Sequence, residues 1–160
     1  MAGLFSRKGF RFLYRNDEGS LSRAAWWSGL IPLASVLVVM TIVWLLLAPW
    51  GRRGLNERAF LDPLTIVAYL YLAFYAFCVI LIAVSYTYLS AKRLRTRGRY
   101  PGLAGLLPLA ALFSGAAHWL YPRVAETMPW ALVVACDVAL IGVILWHVID
   151  LGVLERAPGK

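Results

Sequence analysis

The chain has 160 residues, of which 61% are apolar, and its formal net charge at pH 7 is +8. Soluble globular proteins are about 45–50% apolar. The surplus here lies in four apolar runs of roughly 20 residues, each long enough to cross a bilayer core of about 30 Å. The polar stretches between them are too short to bury a core of their own, which excludes a separate soluble domain. We therefore predict a single all-α integral membrane domain over residues 1–160, a four-transmembrane-helix bundle with an N-terminal amphipathic interfacial helix.

The sixteen Lys and Arg residues are distributed unevenly about these runs. Five precede the first run, three, five and one lie in the successive gaps, and two follow the last run. Twelve of the sixteen therefore fall on the same side of the membrane. Because cytoplasmic loops carry the excess of Lys and Arg, we expect a multi-pass protein of the bacterial inner membrane with both termini in the cytoplasm. Membrane topology accounts for the charge, so we expect no nucleic-acid partner.

Residues 4–15 predict an amphipathic helix that lies in the plane of the lipid headgroups. Basic residues recur every four positions, and apolar residues fall on another face. Arg7, Arg11 and Arg15 have this spacing, and Lys8 lies beside them. Such a helix is attracted to anionic lipid. The alternative is an unstructured basic tail, because Gly9 weakens the helix.

The four spans are expected at about 27–49, 64–90, 102–121 and 129–151. At the start of the second span, Asp62 is suited to cap the helix and Pro63 to occupy its first position. The two cysteines, Cys78 and Cys136, lie at different depths in their spans, so we expect both thiols to be free.

The third span is rich in small residues. Ala111 and Gly115 form a small-xxx-small pair, which permits close approach of a neighbouring helix. We expect this pair to pack helices together and the third span to be the most buried of the four.

The densest charge in the chain follows the second span. Five cations fall within eight residues, namely Lys92, Arg93, Arg95, Arg97 and Arg99. They lie on the same predicted side of the membrane as the N-terminal helix and Arg23. We expect these residues together to form a basic cytoplasmic face that contacts membrane lipids with anionic headgroups or an acidic protein partner.

Three polar residues lie within the fourth span. Asp137 is deep enough to require protonation or a hydrogen-bond partner. It is either a proton or ion relay or a structural contact, for instance to a Tyr or Ser hydroxyl. Asp150 shares a face with His147. Asp150 is expected to form an ion pair with the Arg-rich segment or with Arg23, the alternative being a His147–Asp150 catalytic or metal site.

The chain contains no glycine-rich phosphate-binding loop, no His-Glu-x-x-His helix and no strand-borne serine elbow. We therefore expect no enzymatic activity, no catalytic residue, no cofactor and no metal.

Two stretches of the chain resemble a known family. Residues 19–27, Gly-Ser-Leu-Ser-Arg-Ala-Ala-Trp-Trp, are similar to the Gly-Arg-x-Ser-Arg-x-x-aromatic-Trp entry to the first helix of the domain-of-unknown-function 805 family. Residues 92–99, Lys-Arg-Leu-Arg-Thr-Arg-Gly-Arg, are similar to its Arg-Arg-Leu-His-Asp-x-Gly-Arg/Lys stretch after the second helix. The resemblance covers residues 4–113 and implies a small bacterial inner-membrane protein without an agreed activity. Arg95 and Thr96 replace the family's His-Asp pair, and a full fourth span replaces its polar closing segment.

Three functional hypotheses follow. The first is a non-enzymatic membrane component whose basic face contacts anionic lipid or an acidic protein. The second is an accessory subunit of a larger membrane protein complex, suggested by the small-residue third helix. The third is a proton-linked transporter that uses Asp137.

Overall fold

The computed structural model describes residues 7–16, 18–51, 62–124 and 127–154. Within these ranges the secondary structure is entirely helical. Residues 4–6 of the predicted N-terminal helix lie outside the described residues, as do the side chains of Arg7 and Lys8. In chain order the elements are α1 (Arg7–Tyr14), α2 (Arg23–Gly51), α3 (Pro63–Thr96), a 3₁₀ turn (Pro101–Gly105), α4 (Leu106–Val124), α5 (Trp130–His147) and a π-helical turn (Val148–Val153).

Four segments are long and apolar enough to cross a membrane. They are Arg23–Gly51, Pro63–Thr96, Pro101–Pro122 and Trp130–Val153. The predicted all-α fold with a four-helix membrane bundle is thus confirmed. The second segment continues past the predicted end at Ser90 to Thr96, so that Lys92, Arg93 and Arg95 belong to the helix.

The second span begins as predicted. Asp62 Oδ2 accepts hydrogen bonds from the Thr65 backbone N–H at 3.2 Å and from the Thr65 hydroxyl at 2.9 Å. Pro63 occupies the first helical turn, where its missing N–H leaves no bond unmade. Both cysteines are free thiols, as predicted.

The four spans pair as two helical hairpins. Helix α2 packs along α3, and α4 packs along α5. Contacts between the hairpins are concentrated in the 3₁₀ turn, which packs against α3, and in the π-helical turn, which packs against α2 and α3. Helix α1 also packs against α3. We call this end of the bundle, formed by α1, residues 92–99, the 3₁₀ turn and the π-helical turn, the basic end.

The buried core lies at the basic end. Trp26, Leu89 and Leu151 are among its fully buried side chains. Along the middle of the spans, by contrast, apolar side chains such as Leu70 and Leu112 are about two-thirds exposed, at 68% and 66%. The spans therefore present apolar side chains to the bilayer, while the core cluster that joins the two hairpins lies at the basic end.

The third span is the most buried of the four, as predicted. The buried share of its most apolar stretch is 17%, against 0%, 6% and 11% for the others. The packing role predicted for Ala111 and Gly115 is nevertheless wrong within this chain. Both residues are exposed, and no other side chain approaches the Cβ position of Gly115 within 4 Å. The buried positions of α4 include Ser114 and Ala117, because the face toward α5 is centred on them.

Candidate functional site

The side chain of Lys92 binds the C-terminal end of α1. Its Nζ donates hydrogen bonds to the carbonyl oxygens of Phe12, Leu13 (2.9 Å) and Asn16 (2.8 Å). The ammonium also lies 4.7 Å from the centroid of the Phe12 ring. The last carbonyls of a helix lack intrahelical partners and carry partial negative charge, so a cation is favoured there. Lys92, whose exposure is 0%, thus attaches α1 to the end of α3.

The end of the fourth span is capped in a similar way. The carbonyls of residues 151–154 each accept a hydrogen bond from a side chain of the first hairpin or its N-terminal end. The bonds are Arg93 Nε to Leu151 O (3.0 Å), Trp27 Nε1 to Gly152 O (3.0 Å), Arg23 Nη1 to Val153 O (3.2 Å) and Arg93 Nη2 to Leu154 O (2.9 Å). Side chains of the first hairpin thus supply hydrogen bonds that the end of a helix cannot make to itself. These bonds join the two hairpins.

The ion pair predicted between Asp150 and the Arg-rich segment is present. Arg97 Nη2 lies 3.3 Å from Asp150 Oδ1, and the two side chains are 10% and 4% exposed. Arg97 Nε and Asp150 Oδ2 have no hydrogen-bond partner within the described part of the chain. The pair therefore has one hydrogen bond instead of the two of a bidentate contact.

The two stretches that carry the family resemblance, residues 19–27 and 92–99, meet at the basic end. The Leu21 backbone N–H donates to Thr96 Oγ1 at 3.0 Å. The Leu21 carbonyl faces Arg93 Nη1 at 3.4 Å. These contacts bind the segment before α2 to the last turn of α3.

Trp26 belongs to this contact as well. Trp26 is 1% exposed, and its Nε1 donates to Ser90 Oγ at 3.2 Å. The Leu89 side chain lies where a Cβ on Gly29 would stand, so α2 and α3 approach closely here.

The basic face is smaller than predicted. Lys92 and Arg93 were expected to contact lipid or a partner, and this is wrong because both side chains are buried and bonded to backbone carbonyls. Among the predicted residues whose side chains the structure describes, the exposed ones are Arg11, Arg15, Arg23, Arg95 and Arg99. Arg23 also bonds Val153, so the described part of the face is formed chiefly by the other four.

An open groove lies within this face. It has a volume of about 570 Å³ and is lined by Arg11, Phe12, Arg15 and Asn16. The two guanidinium groups, one helical turn apart, stand on the same side of α1. The arrangement suits a phosphate-bearing headgroup, which guanidinium groups bind through paired N–H donors.

A second group of polar side chains, the second-hairpin patch, consists of Ser114, His118 and Asp137. Ser114 Oγ donates to Asp137 Oδ1 at 2.6 Å, and His118 Nε2 lies 3.2 Å and 3.0 Å from the two carboxylate oxygens. The hydroxyl contact predicted for Asp137 is thus present. The carboxylate remains 37% exposed and the imidazole 54% exposed. The contact therefore leaves the ionisable pair accessible, so a role for Asp137 as a relay stays a prediction.

A third group, the first-hairpin patch, consists of Thr41, Tyr71 and Tyr75. The Thr41 hydroxyl donates to the Leu37 carbonyl at 2.7 Å and lies 3.0 Å from the Tyr75 hydroxyl. The Tyr71 hydroxyl donates to the Met40 carbonyl at 2.7 Å. The Tyr71 and Tyr75 rings are stacked, with centroids 6.4 Å apart.

His147 is buried at the junction of the hairpins. Its Nδ1 lies 2.9 Å from the Val143 carbonyl, and its ring centroid is 6.0 Å from that of Tyr86. Because Nδ1 faces a carbonyl, it carries the hydrogen in the neutral ring. Among the residues that the structure describes, no three His, Cys, Asp or Glu side chains are grouped so as to hold a metal ion. The alternative of a His147–Asp150 metal site thus finds no third ligand there.

Four apolar spanning helices define the chain as a multi-pass, all-α membrane protein. Comparison with protein-family models, with curated proteins and with solved structures gave no match. The resemblance to the domain-of-unknown-function 805 family therefore stays a prediction, based on residues 19–27 and 92–99.

Sequence reasoning did not identify Ser114 and His118 as partners of Asp137. The sequence does contain a pattern that indicates this contact, because Ser114 and His118 are four residues apart and so lie on one face of a helix. His118 also lies six residues before the end of α4, and Asp137 lies seven residues after the start of α5. Two antiparallel helices joined by a short turn place such positions at the same height.

Proposed function

We propose that the protein is a non-enzymatic component of the bacterial inner membrane whose basic end binds anionic phospholipid headgroups. One observation carries this proposal, namely the attachment of α1 by Lys92. It holds Arg11 and Arg15 in fixed positions on an exposed groove. A helix fixed in this way loses less conformational entropy on binding than a free basic tail would.

The position of α1 favours lipid as the ligand. It packs against the end of α3, where the apolar part of the spans gives way to charge, which is the level of the headgroups. Phe10, which is 53% exposed, lies beside Arg11 on α1, so an apolar ring can enter the acyl boundary while the guanidinium meets phosphate. Each basic residue near an anionic surface contributes about 1 kcal/mol.

The charge distribution supports a cytoplasmic location for the basic end. Twelve of the sixteen cations lie in the segments on that side of the spans. The cytoplasmic leaflet also carries the anionic lipid surface that the groove would bind. A reporter fusion after Lys160 is expected to be active only in the cytoplasm, and activity in the periplasm would reverse this orientation.

The lipid preference of the full-length protein tests the proposal. The protein is reconstituted in phosphatidylcholine vesicles, and its association with spin-labelled phosphatidylglycerol is compared with that of spin-labelled phosphatidylcholine. We expect a preference for phosphatidylglycerol that decreases as salt rises. The double variant Arg11→Gln/Arg15→Gln should lose most of this preference, whereas Arg11→Lys/Arg15→Lys, the matched control, should retain part of it.

The result can also contradict the proposal. Equal association of the two lipids, or a preference that neither salt nor the glutamine variant changes, would exclude headgroup binding at this groove. Capture of an acidic protein that depends on Arg11 and Arg15, without any lipid preference, would assign the same groove to a protein partner.

A further inference from the structure

The open groove at the C-terminal end of α1 is large enough for more than one phosphate group. It is lined by Arg11, Phe12, Arg15 and Asn16, and its volume is about 570 Å³. A water molecule occupies about 30 Å³ in the liquid, so this volume corresponds to roughly nineteen water molecules. The groove can therefore hold a headgroup that carries several polar groups.

Several hydrogen-bond acceptors of the lining residues are already bound by donors of the protein. Lys92 Nζ donates to the backbone carbonyls of Phe12 and Asn16. The side-chain oxygen of Asn16 accepts from the Glu18 backbone N–H at 3.1 Å. These contacts direct acceptor atoms at the end of α1 toward the protein and leave fewer of them for a ligand.

What the lining residues offer to a ligand is mainly N–H groups. Arg11 and Arg15 are exposed, and a guanidinium group carries five N–H donors and no acceptor. The bond to Asn16 Oδ1 uses the acceptor of that amide and leaves its NH₂ group available. A groove rich in donors favours a headgroup made of phosphate oxygens over a headgroup that carries an ammonium.

The charge around the groove favours a ligand with two negative charges. Arg11 and Arg15 line it, and the buried ammonium of Lys92 bonds the carbonyls of two further lining residues. Among the acidic side chains that the structure describes, that of Glu18 is nearest in the chain, and it is exposed. Because Glu18 offsets at most one of the three positive charges, a ligand with a single charge leaves the groove positive.

The two guanidinium groups are best matched by two phosphate groups. Arg11 and Arg15 are one helical turn apart, which places their Cβ atoms about 5–6 Å from each other. A phosphodiester has two unesterified oxygens, and one guanidinium binds both through parallel N–H donors. One phosphodiester is thus matched by one arginine. When two phosphodiesters belong to the same molecule, the second binds as an intramolecular step.

We infer that the groove selects a bisphosphate lipid, in which a short hydroxyl-bearing bridge joins two phosphodiesters, as in cardiolipin. Arg11 and Arg15 each bind one phosphate, and the Asn16 amide donates to an oxygen of the bridge. This inference rests on the headgroup binding proposed above and adds the class of lipid that the groove prefers.

Three spin-labelled lipids distinguish the headgroups on the full-length protein in phosphatidylcholine vesicles. Phosphatidylglycerol carries one phosphodiester, cardiolipin carries two, and phosphatidic acid carries up to two charges on a single phosphate. We expect cardiolipin to associate about fivefold more strongly than phosphatidylglycerol, the factor that corresponds to about 1 kcal/mol for one further arginine. Phosphatidic acid should associate less strongly than cardiolipin, because it engages only one guanidinium fork.

Single variants show whether both arginines are required. In Arg11→Gln and in Arg15→Gln, the ratio of cardiolipin to phosphatidylglycerol association should fall to about one, because one fork remains in each. Asn16→Ala should lower cardiolipin association by a few-fold and leave that of phosphatidylglycerol unchanged. Arg99→Gln is the matched control, because it removes an exposed arginine of the same end that does not line the groove, and its ratio should stay near fivefold.

Three results would overturn the inference and leave the proposed function in place, provided that phosphatidylglycerol still associates more strongly than phosphatidylcholine. They are equal association of cardiolipin and phosphatidylglycerol, equal association of cardiolipin and phosphatidic acid, and a ratio that Arg99→Gln lowers as much as Arg11→Gln does. The first two use the wild type alone and do not depend on the folding of a variant. Association of all three lipids at the level of phosphatidylcholine would instead refute headgroup binding itself.

Discussion

Replacement of Lys92 by Met tests whether a buried cation attaches α1 to the bundle. Met fills a similar volume but cannot donate a hydrogen bond to the three carbonyls that Lys92 contacts. A hydrogen bond to a charged group contributes about 1.5–3 kcal/mol. The carbonyls recover bonds to water once α1 detaches, so the net loss is smaller than three such bonds. We take one bond, about 1.5 kcal/mol, as the lower limit, which is about a tenfold change in the docking equilibrium.

Hydrogen–deuterium exchange of the full-length protein in nanodiscs measures this equilibrium. We expect amides in α1 to exchange at least about tenfold faster in Lys92→Met, while amides in the middle of α3 keep their protection. Arg99→Met is the matched control, because Arg99 is exposed and its loss should leave α1 unchanged. Unchanged protection of α1 in Lys92→Met would refute the reasoning, since α1 would then be held by its apolar contacts alone.

Three further predictions concern single side chains. Asp150→Asn removes one charge of a buried pair and should destabilise the protein by about 3 kcal/mol, measured as a lowered thermal unfolding temperature. If the loss comes from the unpaired Arg97 charge, the second change Arg97→Gln should restore part of the unfolding temperature. Asp62→Ala removes the N-cap of α3 and should cost about 1 kcal/mol in the same assay, whereas Asp62→Asn should cost less; equal loss in both would argue against capping. Burial raises the pKa of the Tyr14 phenol above its ordinary value of 10.0, so its neutral form is favoured in the folded protein. The stability that Tyr14 contributes through its neutral form is therefore fully present below pH 10 and is lost as the pH rises above that value. The unfolding temperature of wild type should fall more steeply above pH 10 than that of Tyr14→Phe, and parallel curves would contradict this.

The basic segment shows how far the sequence could be interpreted. We assigned all five cations of residues 92–99 to one basic cytoplasmic face because they lie on the same predicted side of the membrane as the N-terminal helix. The segment is instead divided: Lys92 and Arg93 cap helix ends, Arg97 pairs with Asp150, and Arg95 and Arg99 are exposed. Helix α3 continues beyond the predicted end of the span, so its helical periodicity decides which of these cations face the protein. The prediction ended the helix at Ser90 and therefore could not separate buried cations from exposed ones.

The small residues of the third span were expected to be buried in a helix contact but are exposed. Ala111 and Gly115 have the spacing of a helix-packing pair, but spacing does not determine which face meets a neighbour. Ser114 and His118 determine the face of α4 toward α5 because Asp137 stands opposite them. A polar contact within the membrane thus outweighs small-residue spacing in this hairpin.

The sequence by itself determined the spans, their number and the capped start of α3. These properties depend on residues that are neighbours along the chain, where hydrophobicity and helix geometry act locally. Only the tertiary structure decided which cations are buried, because the carbonyls that satisfy them lie far away in sequence. Lys92, for example, bonds a carbonyl 79 residues earlier in the chain. A charge can be buried only where folding brings such partners to it, and no local pattern carries that information.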